Sequence, residues 1–386
     1  MVDFQHMTNG RKMTKIESVL LTVKFVFLGM MMAMTEQVEA NEIGVVSQLA
    51  NILEETQTFS PGAILHVNSP DFQFRQAVGV ANKKQDLPMQ SNFTLRVGSI
   101  TKIYIAALSV MAEKEKRINV GDKAYQYVPE WALEHLPKNI NPTIEQLLNH
   151  TSGIPDYYSV GFYLFDWNQE EPITPRLVLE SISGKSASLS GKFEYSNTNY
   201  HVLALVLENV YRRSLASLLS EKIFEPMGLD DTYYGESSPT GDVIHGYGAY
   251  TMGWGASLMP WKDTYAWKEN TGPDGGLLAT ASDVDVWLRA LYSQDGQFSD
   301  IGVAMMKKPI SDSERVKQGF GTEILFSRAG TKVVGHTGAL DGYLTAAFYI
   351  PSKDTSFVFH VNKTDHSGFS STLSSVIKIL LADHNS

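Results

Sequence analysis

Ser99 and Lys102 stand one helical turn apart in the stretch VGSITKIY, between an apolar strand-like run and an apolar helix-like run. A serine hydroxyl is a poor nucleophile until a nearby base takes its proton. Residues three apart share one face of a helix, and burial can lower the pKa of a lysine until it acts as that base. The pair therefore indicates nucleophilic catalysis. The alternative is a serine that caps the helix and a lysine that is solvated.

The same Ser-x-x-Lys spacing occurs a second time, at Ser375 and Lys378. That pair lies inside a helix-like segment and follows neither a strand nor a glycine. Ser99 follows Gly98 at a strand-to-helix junction, where backbone N–H groups and the helix dipole favour developing negative charge. The context therefore selects Ser99 as the candidate nucleophile.

The composition excludes several other classes of protein. The chain has 386 residues, 32 Lys and Arg against 42 Asp and Glu, a net charge of -10 and no cysteine. A nucleic-acid binder would carry a basic face, so no nucleic-acid partner is expected. Disulfides, thiolate metal sites and cysteine nucleophiles are excluded. Neither H-E-x-x-H nor G-x-S-x-G occurs, and the histidines show no paired ligand spacing, so we expect no metal and no cofactor.

The N-terminal 40 residues have the pattern of a signal peptide. Two lysines precede or flank the apolar core Phe25–Met34, and the small-residue pattern VEA at 38–40 predicts cleavage after Ala40. The core is too short for a bilayer span of about 20 residues. Translation starts at Met1 or Met13 in this interpretation. We expect a periplasmic or secreted bacterial protein without a stable membrane anchor; the alternative is an amphipathic N-terminal helix of a cytosolic protein.

The order of predicted elements indicates an α+β fold with two lobes. Strand-like runs lie near both ends of the chain and helix-like runs between them. We predict an antiparallel sheet flanked by helices, with an inserted all-helical lobe. The expected boundaries are 1–40 for the signal peptide, 41–105 and 275–386 for the α/β lobe, and 106–274 for the helical lobe. The cleft between the lobes is the expected site.

Two further motifs follow the serine-lysine pair along the chain, and the order of the three is informative. Tyr195-Ser196-Asn197 precedes a helical run, and His336-Thr337-Gly338 ends a strand. HSG at 366–368 also fits the last pattern, but the order of the surrounding strands favours His336. The three motifs together resemble those of the penicillin-recognising serine hydrolases. This superfamily includes class C β-lactamases, D-Ala-D-Ala carboxypeptidases, D-aminopeptidases and related esterases.

The resemblance extends over roughly residues 42–383. Four longer stretches are similar to the class C-like branch of the superfamily: residues 143–157, 193–208, 223–234 and 272–287. His150, in the first of these, is expected to have a structural role. The resemblance implies a β-lactamase/transpeptidase-like fold, in agreement with the order of the elements.

The resemblance also implies a role for each motif residue. Ser99 would be the nucleophile, and Lys102 and Tyr195 would share the role of the base, with a tyrosine phenolate stabilised by the lysine. The oxyanion hole would consist of the backbone N–H groups of Ser99 and Ala339. The residues expected to bind substrate come from the second and third motifs: Asn197, His336, Thr337 and Gly338. Asn197 is also a candidate helix cap.

Histidine at position 336 departs from the β-lactamases, which usually carry lysine there. A histidine has only part of a positive charge at neutral pH, so a substrate carboxylate is held less firmly. We therefore expect a hydrolase acting through an acyl-serine on D-Ala-D-Ala-type peptides, such as a peptidoglycan stem peptide, on D-amino-acid amides or on esters. The alternatives are a class C-like β-lactamase, or a non-catalytic sensor that binds penicillin or D-Ala-D-Ala groups.

Overall fold

The computed structural model describes residues 43–159, 161–162, 166, 171–235, 239–248, 251–252, 256–257, 262–265, 272–311 and 313–382. The predicted signal peptide lies outside these residues. Within them, no helix combines the length and the hydropathy that crossing a membrane requires.

Helices occupy most of the middle of the chain and both of its described ends. They are α1 (43–55), α2 (Thr101–Lys114), α3 (Glu130–Leu133), α4 (Ile144–Leu148), α5 (Pro175–Ser181), α6 (Thr198–Tyr211), α7 (Leu215–Leu219), α8 (Glu225–Met227), α9 (Ala281–Tyr292), α10 (Ser299–Met305) and α11 (His366–Leu381).

The strands fall in two groups, with short ones between them. They are β1 (Gly62–Asn68), β2 (Gln73–Asn82), β3 (Leu87–Pro88), β4 (Leu95–Arg96), β5 (Thr232–Tyr233), β6 (Tyr247–Gly248), β7 (Thr251–Met252), β8 (Ala256–Ser257), β9 (Lys262–Asp263), β10 (Leu278–Ala279), β11 (Ile310–Ser311), β12 (Val316–Gln318), β13 (Glu323–Phe326), β14 (Lys332–Leu340), β15 (Tyr343–Ile350) and β16 (Thr355–Val361).

One antiparallel sheet joins the two ends of the chain, as the order of the elements predicts. Its strand order is β11-β12-β13-β14-β15-β16-β1-β2-β3, so that β1 lies between β16 and β2. β1 reads as a nearly continuous apolar run because both of its faces are buried. The mixed α and β architecture with an antiparallel sheet is confirmed.

The two faces of the sheet pack against different helices. On one face, Leu65 of β1 belongs to a core with Leu49 of α1 and Val376 of α11. On the other face, Ile64 belongs to the larger core that contains α2, α6 and α9. α2 is the centre of that core, since its residues from Thr101 to Ala112 are all buried. The helix that begins just after Ser99 is therefore held on all sides.

The inserted segment is not all-helical, contrary to the sequence prediction. The short strands β5 to β9 lie between residues 232 and 263. This stretch is rich in glycine, tyrosine and threonine, which favour turns and strands over helix. The lobe boundaries at residues 105 and 274 stay a prediction.

Candidate active site

The turn that carries Ser99 is set by a glycine and a threonine. Gly98 has a φ of +58°, a left-handed conformation that favours glycine, and Gly98–Ile100 form one 3₁₀ turn that leads into α2. The Thr101 hydroxyl donates to the Gly98 carbonyl at 2.8 Å and accepts from the Leu277 N–H at 3.1 Å. Ser99 is thereby held, partly exposed, at the start of a buried helix.

Lys102 is fully buried beside Ser99, as the spacing predicts. Its Nζ lies 2.9 Å from Ser99 Oγ, 2.8 Å from Asn197 Oδ1 and 2.6 Å from the Asp274 carbonyl oxygen. Burial lowers the pKa of Lys102 to about 8, against the opposing effect of the carboxylates of Asp274, Asp156 and Glu323. A substantial fraction of this lysine is therefore neutral in mildly alkaline solution.

Tyr195 reaches the same point from the loop before α6. Its ring stacks on His150 with 4.1 Å between centroids, and Lys102 Nζ lies 5.2 Å from the tyrosine ring centroid. Burial raises the pKa of Tyr195 well above its usual range, although a hydrogen bond with Ser99 opposes this. The tyrosine is therefore a neutral phenol at rest, and not the phenolate that the family resemblance implies.

His150 has the structural role expected of it. It adopts a φ of +58°, and its Nδ1 accepts a hydrogen bond from the Ser196 N–H at 3.2 Å. Burial lowers the pKa of His150 well below its usual range, so the stacked ring is neutral. The histidine thus orients Tyr195 without adding charge to the site.

Asn197 does not cap α6 with its side chain, which was one of its two expected roles. Its Nδ2 donates to Asp156 Oδ2 at 3.1 Å, and its backbone N–H donates to Asp156 Oδ1 at 3.0 Å. With its Oδ1 on Lys102, the amide is fixed in one orientation. An amide nitrogen carries two protons, so one remains for a substrate.

β14 runs past the serine turn at very short range. A Cβ on Gly338 would lie 2.0 Å from the Val97 carbonyl oxygen, and a Cβ on Gly98 would lie 3.1 Å from the Ala339 nitrogen. Both glycines are therefore required for this approach. Because of this contact, the backbone nitrogens of Ser99 and Ala339, which belong to the predicted oxyanion hole, lie close together.

His336 lies on β14 next to the serine turn, but it is only 1% exposed. Its Nδ1 is 3.8 Å from Glu323 Oε1. Burial lowers the pKa of His336 although Glu323 acts to raise it. The histidine is therefore neutral at pH 7. The partial positive charge that the sequence analysis expected at this position was wrong. The alternative motif at 366–368 begins helix α11 instead of ending a strand.

Thr337 is held by a carboxylate that the sequence analysis missed. Its N–H donates to Glu323 Oε2 at 3.1 Å, and its hydroxyl donates to Glu323 Oε1 at 3.0 Å. Pairing of β13 with β14 creates this contact, because Glu323 lies opposite Gly335 in the register. The sequence around residue 323 has no local pattern that predicts this contact.

Asp274 is a second missed residue, within the family-like stretch GPDGG. Its carboxylate accepts from the Tyr157 hydroxyl at 3.0 Å and lies 2.8 Å from His201 Nε2. Burial would raise the pKa of Asp274, but His201, Lys102 and Tyr157 together lower it. The Pro-Asp-Gly sequence was the available signal, since it is typical of a turn, and here the turn places the Asp274 carbonyl oxygen against Lys102.

These residues surround one cleft of about 500 Å³. Ser99 lies in it with the predicted groups Tyr195, Asn197, His336, Thr337 and Ala339, and with the further residues Tyr157, Asp274, Glu323, Asp341 and His366. Among the described residues no cluster of side chains could hold a metal ion. The arrangement can deliver a serine oxygen to a carbonyl carbon beside a buried amine.

A serine beside a buried lysine, at the start of a helix and against a strand of the antiparallel sheet, is the arrangement of a serine hydrolase with the fold of the penicillin-recognising enzymes. The protein-family model described as Beta-lactamase matches residues 49–377, so the chain belongs to this family.

Similar proteins agree with this assignment. The chain is 26% identical to penicillin-binding protein 4* of Bacillus subtilis over 333 residues, which cover 82% of this chain and 71% of that protein. It is 21% identical to protein flp of Staphylococcus aureus, over 78% of this chain and 59% of flp. D-amino acid amidase from Ochrobactrum anthropi SV3, complexed with L-phenylalanine amide, superimposes with a TM-score of 0.75 at 20% identity, covering 87% and 98% of the two chains.

Proposed function

We propose that the protein hydrolyses D-amino-acid amides, D-Ala-D-Ala-type peptides or esters through an acyl-serine intermediate at Ser99. The observation that carries the proposal is the set of three contacts of Lys102 Nζ. The two contacts other than Ser99, Asn197 Oδ1 and the Asp274 carbonyl, involve oxygens that can only accept a hydrogen bond.

The hydrogen-bonding capacity of Lys102 supports its role as the base. A neutral amine has two N–H groups and one lone pair. If the N–H groups are donated to Asn197 and Asp274, the lone pair is left for the third neighbour, the Ser99 hydroxyl, which can donate. Lys102 in its neutral form is then aligned to take the serine proton. Tyr195, a neutral phenol of raised pKa, serves as the group that relays a proton.

The reaction follows from these positions. Ser99 Oγ bonds to the substrate carbonyl carbon while its proton passes to Lys102, and the carbonyl oxygen becomes an oxyanion facing the N–H groups of Ser99 and Ala339. The bond to the leaving amine or alcohol breaks as that group receives a proton through Tyr195. Water then attacks the acyl-serine by the reverse proton path and releases the acid. Each oxyanion donor is worth about 3 kcal/mol in barrier height.

The substrate class rests on the lack of a fixed positive charge at position 336 of β14. Neutral His336 stands where β-lactamases usually carry lysine, and Glu323 lies beside it. Both features disfavour a carboxylate at that end of the cleft. Solved structures of a D-amino acid amidase and of a D-stereospecific amidohydrolase share the fold and support a D-amide substrate.

A panel of substrates tests the proposal. Wild-type protein is assayed with a D-amino-acid p-nitroanilide, a D-Ala-D-Ala peptide, a p-nitrophenyl ester and a chromogenic cephalosporin. We expect turnover of amide, peptide or ester and slow or negligible turnover of the cephalosporin. Ser99→Ala is expected to lose roughly 10⁴-fold of the activity and all labelling by a fluorophosphonate or a fluorescent penicillin. Ser375→Ala, in the other Ser-x-x-Lys sequence, is the matched control and keeps both.

Three outcomes would overturn the proposal. Labelling that persists in a folded Ser99→Ala protein would remove the nucleophile. Cephalosporin turnover above that of every other substrate would make the protein a β-lactamase. A label that forms at Ser99 with no turnover of any substrate would make it a sensor.

Export is a separate proposal that rests on the N-terminal sequence. We propose that the mature protein is periplasmic or secreted and begins at or near Asn41. Mass spectrometry of the protein isolated from its native host tests this. A mature chain that retains Phe25–Met34 would contradict it.

A further inference from the structure

Asp341 occupies the end of the active-site cleft beyond the oxyanion strand. β14 ends at Leu340, and Asp341 and Gly342 form the turn into β15. Two residues along a strand span about 6.5 to 7 Å, so Asp341 lies roughly that far from Ala339. Asp341, Ser99, Glu323 and His336 line the same cleft, and Asp341 and His336 are separated by four residues along β14 and its turn.

One oxygen of the buried Asp341 carboxylate has no hydrogen-bond partner among the described residues. The residue is 8% exposed, and its Oδ2 is buried without a hydrogen bond. The turn is held instead by the backbone: the Thr264 hydroxyl donates to the Asp341 carbonyl at 2.7 Å, and the Gly342 N–H donates to Thr364 Oγ1 at 2.6 Å. The side chain is therefore not needed to hold the turn.

The other carboxylates of the cleft are satisfied, which sets Asp341 apart. Asp274 is bonded to Tyr157 and His201, and Glu323 is bonded to Thr337. Burial raises the pKa of Asp341 to about 6, so it is mainly ionised at pH 7. A buried anion without a partner costs free energy that a cation at hydrogen-bond distance would relieve.

Among the described residues, no charged side chain of a neighbouring element is paired with Asp341. Arg96, whose guanidinium carbon lies 5.9 Å from the Tyr343 ring centroid, donates to the Tyr265 carbonyl oxygen at 3.0 Å. Asp263 is paired with His245 at 2.7 Å, and Lys363 lines a separate cavity. His366 lines the same cleft but is an exposed histidine at the start of α11. Within the part of the chain that the structure describes, the cleft thus offers one carboxylate oxygen without a partner, Asp341 Oδ2, to a ligand.

We propose that Asp341 recognises a positively charged amine on the acyl part of the substrate, such as the free α-amino group of a D-amino-acid amide. This rests on the proposed function at Ser99. The carbonyl lies at the oxyanion hole, the leaving group points toward Thr337, and the ammonium of the acyl part reaches Asp341. An N-acylated substrate lacks that charge and leaves the carboxylate unpaired.

The test compares D-alanine p-nitroanilide with its N-acetyl derivative. We expect wild type to prefer the free amine, and Asp341→Asn to lower the ratio of the two kcat/KM values at least tenfold. Asp295→Asn, which removes an exposed carboxylate elsewhere, is the matched control and keeps the ratio. An unchanged ratio in Asp341→Asn, including an equal loss on both substrates, would overturn the proposal.

Wild-type protein alone gives a second measurement that needs no variant. The same ratio should follow a bell-shaped pH profile, falling below about pH 6 as Asp341 is protonated and above about pH 8 as the amine loses its proton. A flat ratio would contradict the proposal. If neither anilide is hydrolysed, inhibition of ester hydrolysis is measured instead, with D-alaninamide and with N-acetyl-D-alaninamide as inhibitors. Equal inhibition by the two compounds would overturn the proposal. Failure of the proposed function itself would appear differently, as labelling that persists in Ser99→Ala, as cephalosporin turnover above that of every other substrate, or as a label at Ser99 without turnover of any substrate.

Discussion

The pH dependence of acylation follows directly from the buried lysine. If neutral Lys102 is the base, the rate is proportional to its unprotonated fraction. With a pKa of about 8 that fraction is about one tenth at pH 7 and about nine tenths at pH 9. We therefore expect kcat/KM for a neutral ester to rise about tenfold over these two pH units and then to level off.

The neutral ester is the suitable probe because it carries no group that titrates in this range. Initial rates with a p-nitrophenyl ester are measured from pH 5.5 to 9.5, and the rate without enzyme is subtracted at each pH. The Ser99→Ala protein under the same conditions is the control for hydrolysis outside the site. The raised pKa of the Tyr195 phenol predicts no further step at the alkaline end of this range. At the acid end, burial raises the pKa of Asp341 and of Asp156 to about 6, so the Lys102 transition is fitted to the points from pH 7 upward.

Two results would refute the assignment. A midpoint near 6.5 would assign the base to a histidine with an ordinary pKa, and a rate still rising steeply at pH 9.5 would assign it to a tyrosine or to a lysine that burial does not affect. A level profile across the range would mean that the limiting step does not involve removal of the serine proton.

Three further predictions concern the same side chains. Lys102→Ala and Tyr195→Phe should each lose most of the acylation rate, and the double variant little more, because the two act as one unit; additive losses in single-turnover kinetics would show separate roles. Lys102→Met should be more stable than wild type at pH 7, because folding lowers the pKa of Lys102 from 10.5 to about 8 and this shift costs the wild type stability. The cost disappears at high pH, where the lysine is also deprotonated in the unfolded chain. The difference in the free energy of unfolding should therefore shrink by about 3 kcal/mol toward pH 10.5. Denaturant unfolding at both pH values measures it, and a constant difference would contradict the buried neutral lysine. His336→Lys should shift kcat/KM about fivefold toward carboxylate-bearing over neutral substrates, equivalent to about 1 kcal/mol for one screened charge pair, with His336→Gln as the control; equal shifts in both variants would exclude a charge effect.

The antiparallel sheet could be predicted because its strands have clear local patterns. The apolar run at β1 and the strand-like runs near the end of the chain are visible before any contact is known. Pairing of β1 with β16, far apart in the chain, follows from the simplest way to bury both. The short strands between residues 232 and 263 were not predicted, because two-residue strands are defined by their partners and carry no period of their own.

The motif residues could be found from spacing, whereas their supporting residues could not. Ser99 and Lys102 are neighbours on one helix, and Tyr195 and His336 stand in short patterns that resemble a known family. Glu323 reaches its place only through strand register. The protonation state of His336 could not be predicted from the sequence either, since its lowered pKa depends on how deeply β14 is buried.

The position of the nucleophile at the start of α2 explains how one helix serves both stability and catalysis. From Thr101 to Ala112 the helix lies in the core, so the residue one turn after Ser99 must be buried, and a lysine there costs stability. That cost is what lowers its pKa enough for a base. The carboxylates of Asp274, Asp156 and Glu323 act in the opposite direction and keep the pKa near 8. A more apolar surrounding would lower the pKa further and weaken the base, while a more acidic one would keep it protonated at pH 7. If Lys102 is the base, as proposed, these buried carboxylates affect catalysis through its pKa. The carboxylate of Asp341 differs from them because its proposed balancing charge comes from the substrate.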